Sequence, residues 1–212
     1  MPSATLPPSS NKSEEFAQRI SNLITPFTSG IFMAAFFIFK VFNSPFEALK
    51  WFSVTAVLTT APPIACIVYL VKTGQLTDIH MPKRKERLKP LLFTFGWLII
   101  SIIALAIFKA PSSLILLTGV ALLQVLVLGL ITTLWKISFH SSAIMSAATV
   151  TVLFHSQWAF IALPLVPLVG WARIKLRRHT LWQVISGYIA GIAVALSAVY
   201  LIERYFPATL GG

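Results

Sequence analysis

Residues 113–135 read SLILLTGVALLQVLVLGLITTLW, twenty-three positions without one charged side chain. About 20 apolar residues in a helix cross the hydrocarbon core of a bilayer. A helix also satisfies its own backbone N–H and C=O groups, which lipid cannot do. The stretch therefore predicts a transmembrane helix, and the rest of the chain shares its character. Of 212 residues, 57% are hydrophobic and 11% charged, and mean hydropathy is +0.83. Soluble domains carry about a quarter charged residues. So few polar groups cannot coat a water-facing surface, which excludes a soluble globular domain, a disordered chain and a nucleic-acid-binding module.

The same ruler predicts an all-α polytopic bundle of six to seven transmembrane helices. The expected spans are Ile20–Phe42, Lys50–Val71, Pro90–Phe108, Ser113–Trp135, His140–Phe154, Trp158–Trp171 and Leu181–Tyr205. Pro62-Pro63 is expected to kink or break the second, because proline removes a donor and clashes with the preceding turn. The polar, Pro/Ser-rich residues 1–15 read as a disordered tail with no cleavable signal. Residues 16–206 read as one membrane domain and 207–212 as a C-terminal tail. The single cysteine, Cys66, sits in an apolar run and supports neither a disulfide framework nor a thiolate metal site.

Charge is the second anomaly: 17 Lys+Arg stand against 6 Asp+Glu, a net +11. With two crossings between 140 and 171, the loops 72–89, 136–140 and 172–180 fall on one side together with the N-terminal tail. Thirteen of the seventeen cations lie there, and Lys40, Lys50, Lys109 and Arg204 lie opposite. The positive-inside tendency then places the three loops in the cytoplasm.

Those loops bring cations and histidines together with few carboxylates. They read Asp78-Ile-His80-Met-Pro-Lys83-Arg84-Lys-Glu-Arg87, then Lys136-Ile-Ser138-Phe139-His140, then Arg173-Ile-Lys-Leu-Arg-Arg178-His179-Thr180-Leu-Trp-Gln183. A divalent metal wants carboxylates or several convergent His and Cys, so no metal and no cofactor is expected. Phosphate suits the inventory, since Arg grips its oxygens and fixed cations stabilise charge developing during transfer. One histidine can attack phosphorus while the other protonates the leaving oxygen. His80 and His155 lie in no such spacing and read as structural.

Arg173-x5-His179, followed by a polar residue at 183, resembles the third signature of the type 2 phosphatidic acid phosphatase superfamily, Arg-x5-His-x3-Asp. Ile137-Ser138-Phe139-His140 echoes its second, Pro-Ser-Gly-His, and the 80–90 loop loosely matches its first, Lys-x6-Arg-Pro. The His-Thr-x-x-Gln arrangement is closest to the polyprenyl and dolichyl diphosphatase branch, and the resemblance covers residues 72–195. It implies His179 as nucleophile and His140 as general acid, with Gln183 standing where an aspartate orients the nucleophile. It implies further that Arg84, Arg87, Ser138 and Arg173 hold the phosphate of a membrane lipid or polyprenyl diphosphate. Phe139 replaces the glycine of the second signature. The alternative function is a non-catalytic lipid-phosphate binding or transport protein on the same scaffold, and a transferase using an alcohol acceptor is a third.

Overall fold

A computed structural model of the chain describes residues 12–81 and 83–205, and these are helical without a strand. In order they form α1 (Lys12–Leu23), α2 (Pro26–Val41), α3 (Pro45–Lys72), a 3-10 turn over Arg84–Arg87 leading into α4 (Leu88–Ile107), α5 (Ser112–Leu134), α6 (Phe139–Leu153), α7 (Ala159–Lys175) and α8 (Leu181–Tyr205). Residues 12–15 of the expected tail are the first turn of α1; residues 1–11 and 207–212 lie outside the described residues.

Four helices are long and apolar enough to cross a membrane: α3, α4 with its leading turn, α5 and α8. α1 and α2 make a fifth if their 48° bend is counted within one span. The six to seven expected crossings exceed that number because α6 has only 15 residues and α7 only 17. The expected first span is divided at Thr25. Its hydroxyl accepts from Thr28 N–H at 3.1 Å, its own N–H donates to Thr28 Oγ1 at 2.8 Å, and Pro26 follows at the first helical position. Reciprocal capping of this kind starts a helix rather than continuing one.

Pro62-Pro63 does not break α3, which runs unbroken for 28 residues. Pro62 has no N–H for the Leu58 carbonyl one turn back, and the indole Nε1–H of Trp97 on α4 donates to that oxygen at 2.8 Å. The donor that proline removes is restored from the neighbouring helix.

α6 is the innermost helix. More than half of its residues are buried, among them His140, Ser141, Ser142, Ala147 and Ala148, and Ile144 and Ala148 pack on Ala162, Val166 and Val169 of α7. Against α8 the approach is closest at Gly187 and Gly191. A Cβ on Gly187 would stand 2.7 Å from the Ser138 carbonyl oxygen, and one on Gly191 would come closer still to that of Ser142. Large apolar side chains face outward around the periphery, Leu92, Ile107, Leu134 and Phe160 each more than two-thirds exposed. In water such a surface would drive association; in lipid it is the ordinary one.

The α6–α8 contact predicts that Gly187→Ala and Gly191→Ala each cost about 1–3 kcal/mol of stability through overpacking, read as a lower unfolding midpoint in detergent. Gly119→Ala, where a Cβ meets nothing within 4 Å, should leave the midpoint unchanged or raise it through helix propensity. Equal midpoints for all three variants would refute the close crossing.

Candidate functional site

The Arg173-to-His179 spacing is set by how α7 ends. After Leu176 the chain turns left-handed at Arg177, φ 53°, and the N–H groups of Arg178 and His179 both donate to the Arg173 carbonyl, at 3.1 and 3.2 Å. This is a helix-terminating motif that returns the chain onto the last full turn. It brings His179 beside the base of Arg173.

Thr180 then caps α8. Its Oγ1 accepts from Gln183 N–H at 3.4 Å, while Gln183 Oε1 accepts from Thr180 N–H at 3.2 Å, a Thr-x-x-Gln capping box. The same Oε1 lies 3.1 Å from His179 Nδ1. A backbone N–H can only donate, so the atom it meets is the amide oxygen, and Nδ1 must carry the proton. The lone pair of His179 is therefore at Nε2. Gln183 performs two tasks with one oxygen: it starts the helix and selects the tautomer.

Ser138 caps α6 in the same manner, its Oγ accepting from Ser141 N–H at 3.4 Å and from Ser141 Oγ at 2.8 Å. The Ser138 N–H donates to the Gln183 carbonyl at 3.1 Å, tying the second loop to the third. Arg87 ties the first to the second. Only 4% exposed, it donates from Nε to the Met81 carbonyl at 3.1 Å and from Nη1 to the Ile137 carbonyl at 2.8 Å, and its guanidinium lies 5.1 Å over the Phe139 ring. Phe139 thus provides a face for the cation where the resembled signature has glycine.

Arg173 is 2% exposed. Its Nη1 donates to Ser21 Oγ of α1 at 2.5 Å, and its Nε is buried without an acceptor among the described residues. Arg178 Nη2 donates to Gln18 Oε1 at 3.1 Å, and its Nη1 is likewise buried and unpartnered. His140 donates its Nε2–H to the Ser21 carbonyl at 3.2 Å. The Arg173 guanidinium acts on the His140 ring, as do the His80 and His179 imidazoles when they are protonated.

Of the residues singled out in the sequence, His179, His140, Gln183, Ser138, Arg87 and Arg173 come together at one end of the bundle. Arg84 does not join them; its Nη1 donates to the carbonyls of Thr132 and Thr133 at the end of α5. His80 does join them, although no sequence spacing marks it. Its ring lies 6.4 Å from that of His140, centroid to centroid, and its backbone N–H donates to Asp78 Oδ1 at 3.0 Å. The one sequence signal was its place in the first cationic loop. His155 occupies the left-handed position that ends α6, φ 48°, a structural role.

A cavity of about 360 Å³ opens over His179, bordered by Lys136, Arg177, Arg178, Thr180 and Gln183. A larger groove of about 660 Å³ between α3 and α4, lined by residues such as Trp51, Val57, Leu105 and Phe108, contains no titratable side chain and offers no chemistry. Among the described residues no cluster of three or more His, Cys, Asp or Glu is arranged to hold a metal ion. Burial pushes the His179 imidazole down to about 3, and the charges of Arg173, Arg87 and Lys136 act in the same direction against the opposing Gln183 bond. Burial, with Arg87 and Arg173, also lowers Lys136, and burial, with Arg178, lowers His80. No protein-family model, curated protein or solved structure matches the chain.

The His179 imidazole is thus neutral across the physiological range. As pH falls from the ordinary histidine value of about 6.5 towards the folded value of about 3, the unfolded chain takes up a proton that the folded site resists. Stability is therefore complete above about 6.5 and declines below it. In ¹⁵N-histidine NMR, His179 should stay a neutral Nδ1–H tautomer down to about pH 4. Gln183→Glu keeps both acceptor contacts and adds negative charge, so it should raise the midpoint by at least about one unit. Titration of wild-type His179 near 6.5 would contradict this picture of the site.

Proposed function

We propose that the chain is a polytopic membrane phosphatase that hydrolyses a lipid phosphate or polyprenyl diphosphate through a phosphohistidine on His179. The observation that carries the reading is a neutral imidazole with its lone pair at Nε2, bordering one cavity with Arg178 and within reach of the Arg173 charge, while Arg173 Nε and Arg178 Nη1 are buried without acceptors among the described residues. Buried cations lacking a counter-charge are costly, and a phosphate dianion removes that cost while placing phosphorus at the nucleophile. The likeness of Arg173-x5-His179 and Ser138-x-His140 to the type 2 phosphatidic acid phosphatase signatures supports the same assignment.

The roles follow from the atoms. His179 Nε2 attacks phosphorus, and the bond from phosphorus to the lipid oxygen breaks. His140, made imidazolium by the negative charge that substrate brings, gives its Nε2 proton to that leaving oxygen. Water then attacks phosphorus, His140 takes the water proton, and the P–N bond breaks to restore neutral His179. Arg173 and Arg87 hold the phosphoryl oxygens, and the N-capped start of α6 at Ser138 adds the positive end of a helix.

The topology belongs to the same proposal. α1 lies with the three loops, α2 and α3 form an out-and-back pair, as do α4 with α5 and α6 with α7, and α8 crosses last. This makes seven crossings, with α2, α6 and α7 shorter than the other four. The end formed by the three loops and α1, with thirteen of the seventeen cations, then faces the cytoplasm, and the substrate's apolar tail stays in the bilayer.

Phosphate release from phosphatidic acid and from prenyl diphosphates in detergent micelles tests the activity. His179→Ala should abolish turnover and trap no phosphoenzyme, while Arg173→Lys should lower kcat by roughly 10²–10³-fold, as loss of a transition-state donor does. A wild type inert towards all of these substrates yet binding them would favour the non-catalytic binder; a phosphorylated alcohol as product would favour a transferase.

A further inference from the structure

α1 has an inner side and an outer one. Ala17 and Ser21, four residues apart and therefore stacked, are fully buried, while Lys12, Arg19 and Asn22 are exposed. The inner side rests on α7, where Phe16 meets Trp171 with ring centroids 6.0 Å apart. Its polar groups go to the site described above. The Ser21 carbonyl accepts from His140 Nε2–H at 3.2 Å, Ser21 Oγ accepts from Arg173 Nη1 at 2.5 Å, and Gln18 Oε1 accepts from Arg178 Nη2 at 3.1 Å.

The Ser21 carbonyl is available for this because α1 stops. Thr25 N–H, which would bond it in a continuing helix, is turned to Thr28 Oγ1 instead. Carbonyls of a last helical turn need an outside donor, and His140 supplies one. The two Ser21 oxygens thus bridge the proposed general acid and a buried guanidinium, as two oxygens of one phosphoryl group would. α2 starts with its own capping box and Pro26, so α1 can leave its seat without unwinding α2.

We propose that α1 is a strap over the phosphate site: the two oxygens of Ser21 hold the places of phosphoryl oxygens, and a phosphate monoester group displaces them by swinging α1 about residues 24–25. The inference rests on the phosphate reading above. The donors on His140 and Arg173 cannot serve Ser21 and substrate at once, so the closed strap lowers apparent affinity by the fraction of time it is open. Gln18 on Arg178 fastens the strap at its rim.

The experiment uses the full chain in nanodiscs with Cys66→Ser and Ser21→Cys, and follows modification of the new thiol by a water-soluble maleimide. Binding of inorganic orthophosphate, and of phosphatidic acid placed in the disc, is measured in the same samples. Bound phosphate should accelerate modification about tenfold or more, because the buried position opens. Acceleration by phosphatidic acid alone assigns the displacing group to a lipid headgroup, and acceleration by both to the phosphate itself. In the otherwise wild-type chain, Ser21→Ala should bind phosphate roughly tenfold tighter, the equivalent of one hydrogen bond to a charged group, and Gln18→Ala should also bind tighter. Bound phosphate that leaves the modification rate unchanged or slows it overturns the strap and spares the phosphate site. Absence of binding to wild type and to every variant overturns both.

Discussion

Arg173 and Arg87 are 2% and 4% exposed in a chain with six carboxylates against seventeen cations, and this burial of positive charge is the constraint on which the site depends. Moving an ion out of water costs several kcal/mol even after relaxation. Here much of the compensation comes from neutral oxygen: the carbonyls of Met81 and Ile137 for Arg87, and the hydroxyl of Ser21 for Arg173. The Met81 bond is local, but those to Ile137 and Ser21 join segments far apart in the chain. The cations therefore order the loops while remaining under-compensated, and it is on this condition that the proposed preference for a multiply charged anion rests.

Packing fixes where those loops can be. Without side chains at Gly187 and Gly191, α8 approaches α6 closely enough for the Ser138 N–H to reach the Gln183 carbonyl. That bond sets the starts of α6 and α8 side by side, and each start carries a histidine within two residues of a capping hydroxyl, His140 after Ser138 and His179 before Thr180. The relative position of the histidines is thus a consequence of glycines placed one and two turns beyond Gln183 on α8. Chemistry in the loops is held by steric fit in the helices.

Much of this was legible in the sequence because hydropathy and motif spacing are local. The long apolar runs became α3, α4, α5 and α8, and the three cationic loops did converge. The failures have a common cause, which is that a partner distant in the chain decided the outcome. Pro62 reads as a breaker until Trp97 donates to Leu58 from another helix. Arg84 and Arg87 read as near equals in one loop, yet α5 takes the first and the second lies against Ile137 and Phe139. His80 has no motif of its own and is drawn in by the loop that bears it. Residues 20–42 read as one apolar run, and only the reciprocal Thr25–Thr28 cap divides it. No hydropathy window detects that division, although on it depends the freedom of α1 to lie across the site.

Glutamine at position 183, where the resembled signature has aspartate, follows from the same electrostatics. A carboxylate beside His179 would favour the imidazolium, which has no lone pair for attack. With an amide oxygen in that place, the Nδ1 proton is still held and the tautomer still chosen, but neighbouring cations and burial keep the ring neutral, down to about 3. His140 is oriented in the opposite sense, its Nε2–H directed to the Ser21 carbonyl, the place that the proposed mechanism gives to the leaving oxygen. In the proposed mechanism, one acceptor on each ring distinguishes two chemically identical side chains as nucleophile and acid. On that proposal, the negative charge that His140 needs in order to become imidazolium arrives with the phosphate, which would tie readiness for chemistry to occupancy of the site.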